Sequence, residues 1–432
     1  MSAPLPSPPP ERPPAVPRGA LFSWCFFDWA NSAFPTVIVT FVFAAYFVRG
    51  VAPSPEAGTT LWGAALSASG LAIAIVSPIV GAIADRRGAR KPWLAAFTLV
   101  CVLCSAMLWY TQPSADWIVW GLFFFAAGNF AFEVGTVFYN AMLPDIVAPA
   151  RIGRLSGWGW GLGYAGGLAC LALALVAFVQ PAVPPFGLDR EAAEHVRIVG
   201  PLAAAWFALF ALPLFLFVPD APATGASLAG AVRAGLADLR RTVAGLRRAG
   251  PIARFLVARL LYIDGLNTLF AFGGIYAAGT FGMAVDEIIV FGIALNVTAG
   301  LGAAAFGWLD DFIGSKRTVL ISLAGLVAVG IPVLLIESKT AFWALALALG
   351  IFMGPAQAAS RSLMARLAPR DQTTEMFGLF ALSGKVTAFL GPAVLAWVTA
   401  VTQSQRAGMA TVIVFIAAGA VILVTVKEPA RV

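Results

Sequence analysis

Charge is what this sequence has least of: 11 % of its 432 residues are Asp, Glu, Lys or Arg, against 60 % apolar. Soluble domains carry about 25 % charged residues, and so few could not cover a water-facing surface of this size. A soluble enzyme, a nucleic-acid binder and a disordered scaffold are thereby excluded. Histidine is nearly missing. The single copy, His195, lies in the polar stretch from Asp189 to Arg197, where an exposed loop position suits it better than metal ligation. Four cysteines, Cys25, Cys101, Cys104 and Cys170, all fall in apolar runs. Cys101-x-x-Cys104 has a redox or zinc spacing but no second pair and no histidine partner, so two small packing residues are the simpler reading. No metal site, thiol chemistry, catalytic triad or cofactor is expected. The net charge of +7 follows the loops rather than one patch, which argues against nucleic acid. Gly-x-x-x-x-Gly-Lys-[Ser/Thr] is absent, so direct use of ATP is not expected of this chain.

What is there is hydrophobic length. Runs of about 20 apolar residues, each enough to cross a bilayer, fall near 21–48, 60–84, 92–111, 116–142, 154–180, 197–219, 254–279, 286–308, 317–336, 340–364, 374–399 and 408–427. An all-α membrane protein of twelve transmembrane helices is expected. Residues 1–19 hold eight prolines and read as a disordered tail without the layout of a cleaved signal, so the first run is expected to be retained. Of 28 lysines and arginines, 21 fall on the side of the amino terminus, Arg361 counted among them, and 5 on the other; Arg259 and Lys385 sit inside spans. The positive-inside rule then places both termini in the cytoplasm. The longest connection, 220–253, carries Leu228, Val232, Leu236, Leu239, Val243 and Leu246 at helical spacing, with Arg233, Arg240, Arg241, Arg247 and Arg248 off that stripe. This predicts an amphipathic helix on the inner leaflet. It separates a bundle over 20–219 from one over 254–427, with 428–432 as a short tail.

Two motifs recur six spans apart. Gly81-x-x-x-Asp85-Arg86-x-Gly88-x-Arg90-Lys91 follows the second run, and Gly307-x-x-x-Asp311-x-x-Gly314-x-Lys316-Arg317 follows the eighth. Asp28-x-x-Asn31-Ser32-x-Phe34 in the first run returns as Asp264-x-x-Asn267-Thr268-x-Phe270 in the seventh. Two parallel, pseudo-symmetric six-helix halves follow, the repeat pattern of a large transporter class. The Gly81–Lys91 element resembles the loop signature of the major facilitator superfamily. Phe27–Phe34, Phe138–Asp145, Gly157–Tyr164, Ser360–Met364 and Phe377–Lys385 are similar to the autophagy-related vacuole effluxer family. The resemblance implies a major facilitator fold and a branch exporting neutral amino acids from the vacuole. It also implies that the loop acid caps a helix of the opposite half and locks the outward-open state. The second copy keeps Asp311 but has Phe312 where the first has Arg86, which puts its ionic lock in doubt.

Polar groups inside spans need a reason. Asp28, Asn31, Asn129, Glu133, Asp264, Asn267, Asn296, Gln357 and Lys385 fall on spans one, four, seven, eight, ten and eleven, and spans three, six, nine and twelve have none. That matches the superfamily, in which helices one, four, seven and ten line the cavity. Each acid–amide pair shares a helix face at i,i+3, suiting an ammonium or proton site, with a structural network as the alternative. A carboxyl at the depth of Glu133 suits proton exchange; Lys385 is the deep cation that can pair with it or bind a substrate carboxylate. Gly81, Asp85, Arg86, Gly88, Arg90, Lys91, Gly307, Asp311, Gly314, Lys316 and Arg317 are gate candidates. The glycines of Gly157–Gly167 are close-packing positions. The expected function is secondary active transport of a small organic solute, with protons as the coupling ion, lipids around it and a monomer as the unit. The membrane is the cytoplasmic one in a bacterium and the vacuolar one in a fungus. A scaffold or receptor on the same fold, or an exporter of amphipathic compounds, is the alternative. An intramembrane enzyme would want a clustered nucleophile, metal or histidine, and none is visible.

Overall fold

The computed structural model describes residues 16–245 and 250–428, and every regular element among them is helical. Most of the proline-rich stretch, the stripe's end at Leu246, Arg247 and Arg248, and residues 429–432 lie outside the described residues. Among the described residues, eleven helices are long and apolar enough to cross a membrane. Spans 1 to 6 are Arg18–Val51, Pro55–Arg87, Lys91–Tyr110, Ala115–Ile146, Pro149–Val179 and Glu194–Phe217. Spans 7 to 10 are Gly250–Phe281, Glu287–Ile313, Ser315–Leu335 and Lys339–Leu367, and span 12 is Gln405–Val424.

Span 11 is not the continuous helix expected over 374–399. It consists of Thr373–Ser383 and Leu390–Thr402, joined by turns at 384–389. Part of the cause is Pro392, which lacks an N–H and crowds the carbonyl four residues earlier. Yet Pro78, Pro213, Pro332 and Pro355 sit inside helices that stay continuous. The rest of the cause is span 7. Arg259 Nη1 donates to Phe380 O at 2.5 Å and to Ser383 Oγ at 2.7 Å, its guanidinium 3.4 Å from the Phe380 ring. Five residues on, Asp264 Oδ2 accepts the Gly391 N–H at 2.9 Å. A cation thus meets the carboxyl end of one segment and an anion the amino end of the next, which is what the helix dipole favours.

The chain forms two six-helix bundles, spans 1–6 and 7–12. One face of the molecule carries both loop motifs and is called here the motif face. Four spans begin there with their first N–H groups capped by a carboxylate from elsewhere in the chain. Within each half, the acid that follows the sixth helix caps the third. Asp220 accepts from the Arg90 and Lys91 N–H groups at 2.9 and 3.0 Å, and Glu428 from Ser315 N–H at 3.0 Å. Lys91 Nζ donates to Phe215 O and Lys316 Nζ to Val424 O, the same bond repeated in the two halves. On the opposite face, local serine caps suffice: Ser54, Ser338 and Ser404 start spans 2, 10 and 12.

Candidate functional site

The two halves meet through three tiers of polar contacts, stacked from the motif face inward. In the outermost tier, each half caps a helix of the other. Asp85 accepts the Thr374 and Glu375 N–H groups at 3.0 and 2.8 Å, at the start of span 11. Asp311 accepts the Gly153 and Arg154 N–H groups at 2.8 and 3.2 Å, near the start of span 5. Asp311 therefore makes the inter-half cap and ion pair without a basic residue at 312, which corrects the expectation drawn from Phe312. Arg154 Nε donates to Asp311 at 2.8 Å, and Arg366 reaches both Asp310 and Asp311.

Around Asp85, Arg90 donates to Thr374 Oγ1 at 3.0 Å and pairs with Asp145, tying span 4 to span 11. Arg86 turns aside to Asp238 in the helix Leu228–Gly245 that connects the halves. Gly81 is required here because a Cβ would lie 2.5 Å from Thr374 O; Gly378 faces Ser77 O at the same distance. Gly88 and Gly314 take φ of +82° and +103°, turns that favour glycine. Gly307 lies against the Arg154 backbone, and Arg317 is exposed.

The second tier is buried. Arg361 Nη1 donates to Asp28 Oδ2 at 3.0 Å and to Asn140 Oδ1 at 3.3 Å, while its Nε and Nη2 donate to Ser156 Oγ and Ser156 O at 2.8 and 2.7 Å. Tyr139 OH donates to the same Asp28 oxygen at 2.9 Å, and the guanidinium lies 5.0 Å from the Trp24 ring. Spans 1, 4 and 5 of one half thus converge on one arginine of the other. Arg361 is buried inside span 10, and so is not one of the solvated charges of the amino-terminal side with which it was counted. Gly159 makes room, since a Cβ there would lie 2.5 Å from Asp28 Oδ2 and 3.0 Å from Arg361 Nη2.

The third tier is half-open. Lys385, in the break of span 11, donates to Glu133 Oε1 on span 4 at 2.6 Å. Their side chains are 27 % and 25 % exposed, against 4 % for Arg361. Glu133 precedes Tyr139 by six residues on a helix running toward the motif face, so this pair lies about 9 Å further from that face.

The remaining sequence candidates divide. Gln357 Nε2 donates to Tyr164 OH at 3.3 Å across the halves. Asn129 instead donates to Ser69 Oγ at 2.7 Å within its own half, and Asn296 to Gly292 O of its own helix. Asn31 is buried while Asn267 is exposed. The repeat-related acids have diverged: Asp28 holds the opposite half and Asp264 holds the broken span of its own. Asp28 and Asp264 therefore do not form a matched pair.

A comparison with known proteins agrees with this architecture. The family described as vacuole effluxer Atg22 like matches residues 60–430. The chain belongs to that family. It is 27 % identical over 415 residues to an uncharacterised MFS-type transporter, YxiO, of Bacillus subtilis, covering 94 % of each chain. It is 25 % identical over 283 residues to autophagy-related protein 22 of Cryptococcus neoformans, covering 61 % of this chain and 48 % of the fungal one. The human organic anion transporter MFSD10 superposes with a TM-score of 0.73 at 16 % identity, covering 95 % of this chain and all of that one. The proton:xylose symporter XylE gives 0.72 at 13 % identity, covering 95 % and 96 %. The fold is that of the major facilitator superfamily, and the chain is a membrane transporter, not an enzyme. Within this Atg22-like chain, the residues that sequence reasoning missed are Arg361, Tyr139, Asn140, Ser156, Asp145, Asp220 and Glu428. Tyr139, Asn140 and Arg361 lay inside family-like segments; Asp220 and Glu428 each follow the last apolar run of a half, a matched position that the repeat could have exposed.

Proposed function

We propose that the chain is a secondary active transporter moving a small zwitterionic solute, of the neutral amino-acid class, by proton-coupled alternating access. The motif face is the cytoplasmic one by its excess of arginine and lysine, with both termini on that side and a monomer as the working unit. With both trans caps made there and a quarter-exposed ion pair above the buried tier, this is the state closed to the cytoplasm.

The observation that carries the reading is the Glu133–Lys385 pair. It joins the halves yet keeps a quarter of each side chain exposed, so solute can compete for both partners. Protonation of Glu133 releases Lys385 to bind the solute carboxylate, and departure of the proton restores the pair. The buried Asp28–Arg361 tier closes the path beneath. Binding energy is then spent on separating the halves, which is the differential interaction that alternating access requires.

Purified protein in liposomes tests this with radiolabelled neutral amino acids. Glu133→Gln is expected to abolish accumulation driven by a pH gradient while sparing solute exchange, because exchange moves no net proton. Normal pH-driven accumulation by the folded variant would overturn the assignment.

A further inference from the structure

The connecting helix Leu228–Gly245 docks on the bundle with its small face, not with its apolar one. Ala231, Gly235 and Asp238 are buried, and a Cβ on Gly235 would lie 2.8 Å from Ala82 O near the end of span 2. Asp238 pairs with Arg86 of the loop motif and with Arg241 one turn on. Along the apolar ridge, Leu228, Leu236 and Val243 are 53 %, 44 % and 55 % exposed, while Val232 and Leu239 are half-buried. Arg233 and Arg240 are also exposed.

The angular order around this helix is informative. At about 100° per residue, the ridge centre lies about 90° from the docked face, and Arg233 with Arg240 about 90° beyond the ridge. If the helix lies in the membrane plane with its docked face turned to the end of span 2, the ridge turns either up toward the bilayer or down into water. Upward, the ridge enters the acyl boundary while both arginines point sideways at phosphate depth. Downward, the same apolar side chains face water with no partner. The surface the ridge would extend is already apolar: Leu216 and Phe217, ending span 6 just before this connection, are exposed. Span 2, at 33 residues, is about 50 Å long against a hydrocarbon core of about 30 Å. Its last turns carry Asp85, Arg86 and Arg87, charges that belong at headgroup depth.

We propose that this helix is a membrane-surface anchor that binds the anionic lipid of the leaflet on the motif face. Its ridge enters that leaflet and Arg233 and Arg240 meet the phosphates. Through Asp238 and Arg86 the anchor is tied to the loop that carries Asp85, so the leaflet holds one side of the gate. Only the naming of that leaflet as the inner one rests on the proposed orientation.

Spin labels on single introduced cysteines test it in the full chain, since Cys25, Cys101, Cys104 and Cys170 are all buried. The probe is a vesicle of phosphatidylcholine alone or with one third phosphatidylglycerol in both leaflets. A label at Leu236→Cys is expected to be oxygen-accessible and shielded from an aqueous relaxation agent in the anionic vesicles, and less so in neutral ones. Arg233→Gln and Arg240→Gln should each weaken the anionic preference about fivefold. Aqueous exposure in both lipids, or equal depth in both, overturns the proposal. Depth is read without transport, so either result leaves the Glu133 assignment to its own test.

Discussion

Arg361 shows how much one side chain can be asked to do in a low-dielectric interface. A guanidinium offers five donors in a fixed plane, and here they reach Asp28, Asn140 and two atoms of Ser156. Removing it leaves the buried Asp28 carboxylate with the Tyr139 hydroxyl as a donor but without its paired cation. Arg361→Met is therefore expected to cost about 3–5 kcal/mol, read as a lower midpoint of thermal unfolding in detergent. Asp28→Asn in the same chain should recover part of that loss. Gly159→Ala is expected to separate the same two side chains without touching either, and to destabilise, whereas Gly63→Ala, with nothing within 4 Å of the added methyl, should be silent. A Gly159→Ala melting curve identical to that of the parent would mean the pair can shift aside at no cost. The Lys385→Met change bears on the exposed pair. Because a quarter of that pair reaches open space, its loss should lower stability much less than that of Arg361, while solute binding falls sharply in an equilibrium assay. The residue scale was partly legible. An acid inside an apolar run announces itself, but Arg361 lies six residues from the end of its helix, and only its partners reveal that it points inward.

At the scale of elements, the broken span 11 is the feature that sequence periodicity concealed. Gly384–Phe389 contains apolar residues at an ordinary spacing, and Pro392 resembles prolines that leave other spans unbroken. The break is stabilised from outside, by Arg259 and Asp264 on span 7, five residues apart. Asp264→Ala removes the cap at Gly391 and should increase amide hydrogen exchange in peptides covering 388–393, with little change in 373–380. Arg259→Met should do the reverse, loosening the carboxyl end of the first segment. Unaltered exchange in both variants would show that the turns hold themselves. Such a break lets the two segments answer to different neighbours. Thr373–Ser383 packs along span 2, whereas Leu390–Thr402 leans on spans 7 and 12.

For the whole molecule, the two trans caps are what join the halves at the motif face. Each places a carboxylate on two N–H groups of the other half, and hydrogen bonds to charged groups contribute about 1.5–3 kcal/mol each. Asp85→Asn is expected to shift the population toward opening on the motif face by about tenfold. Asp85→Asn with Asp311→Asn should shift it further, because the caps lie on separate helix pairs. Spin-label distances between the motif-face ends of spans 2 and 11, and of spans 5 and 8, would record the widening. Distances unchanged in the double variant would remove both acids from the gate.

The twelve-crossing all-helical plan, the two halves and the two loop motifs were determined by the sequence alone. Bilayer thickness converts apolar length directly into spans, and a duplicated motif needs no geometry to be recognised. The division of labour among the polar residues was decided only in three dimensions. Asp28 and Asp264 occupy equivalent sites in the repeat, yet one meets an arginine of the opposite half and the other a backbone N–H of its own. Asp311 makes its cap without the basic neighbour that accompanies Asp85, because the capped donors are backbone N–H groups, which carry no trace in side-chain identity, and its cations, Arg154 and Arg366, come from other spans. A carboxylate's role in a membrane depends on which donor it meets across the helix interface, and that meeting is a property of packing between spans rather than of any one span.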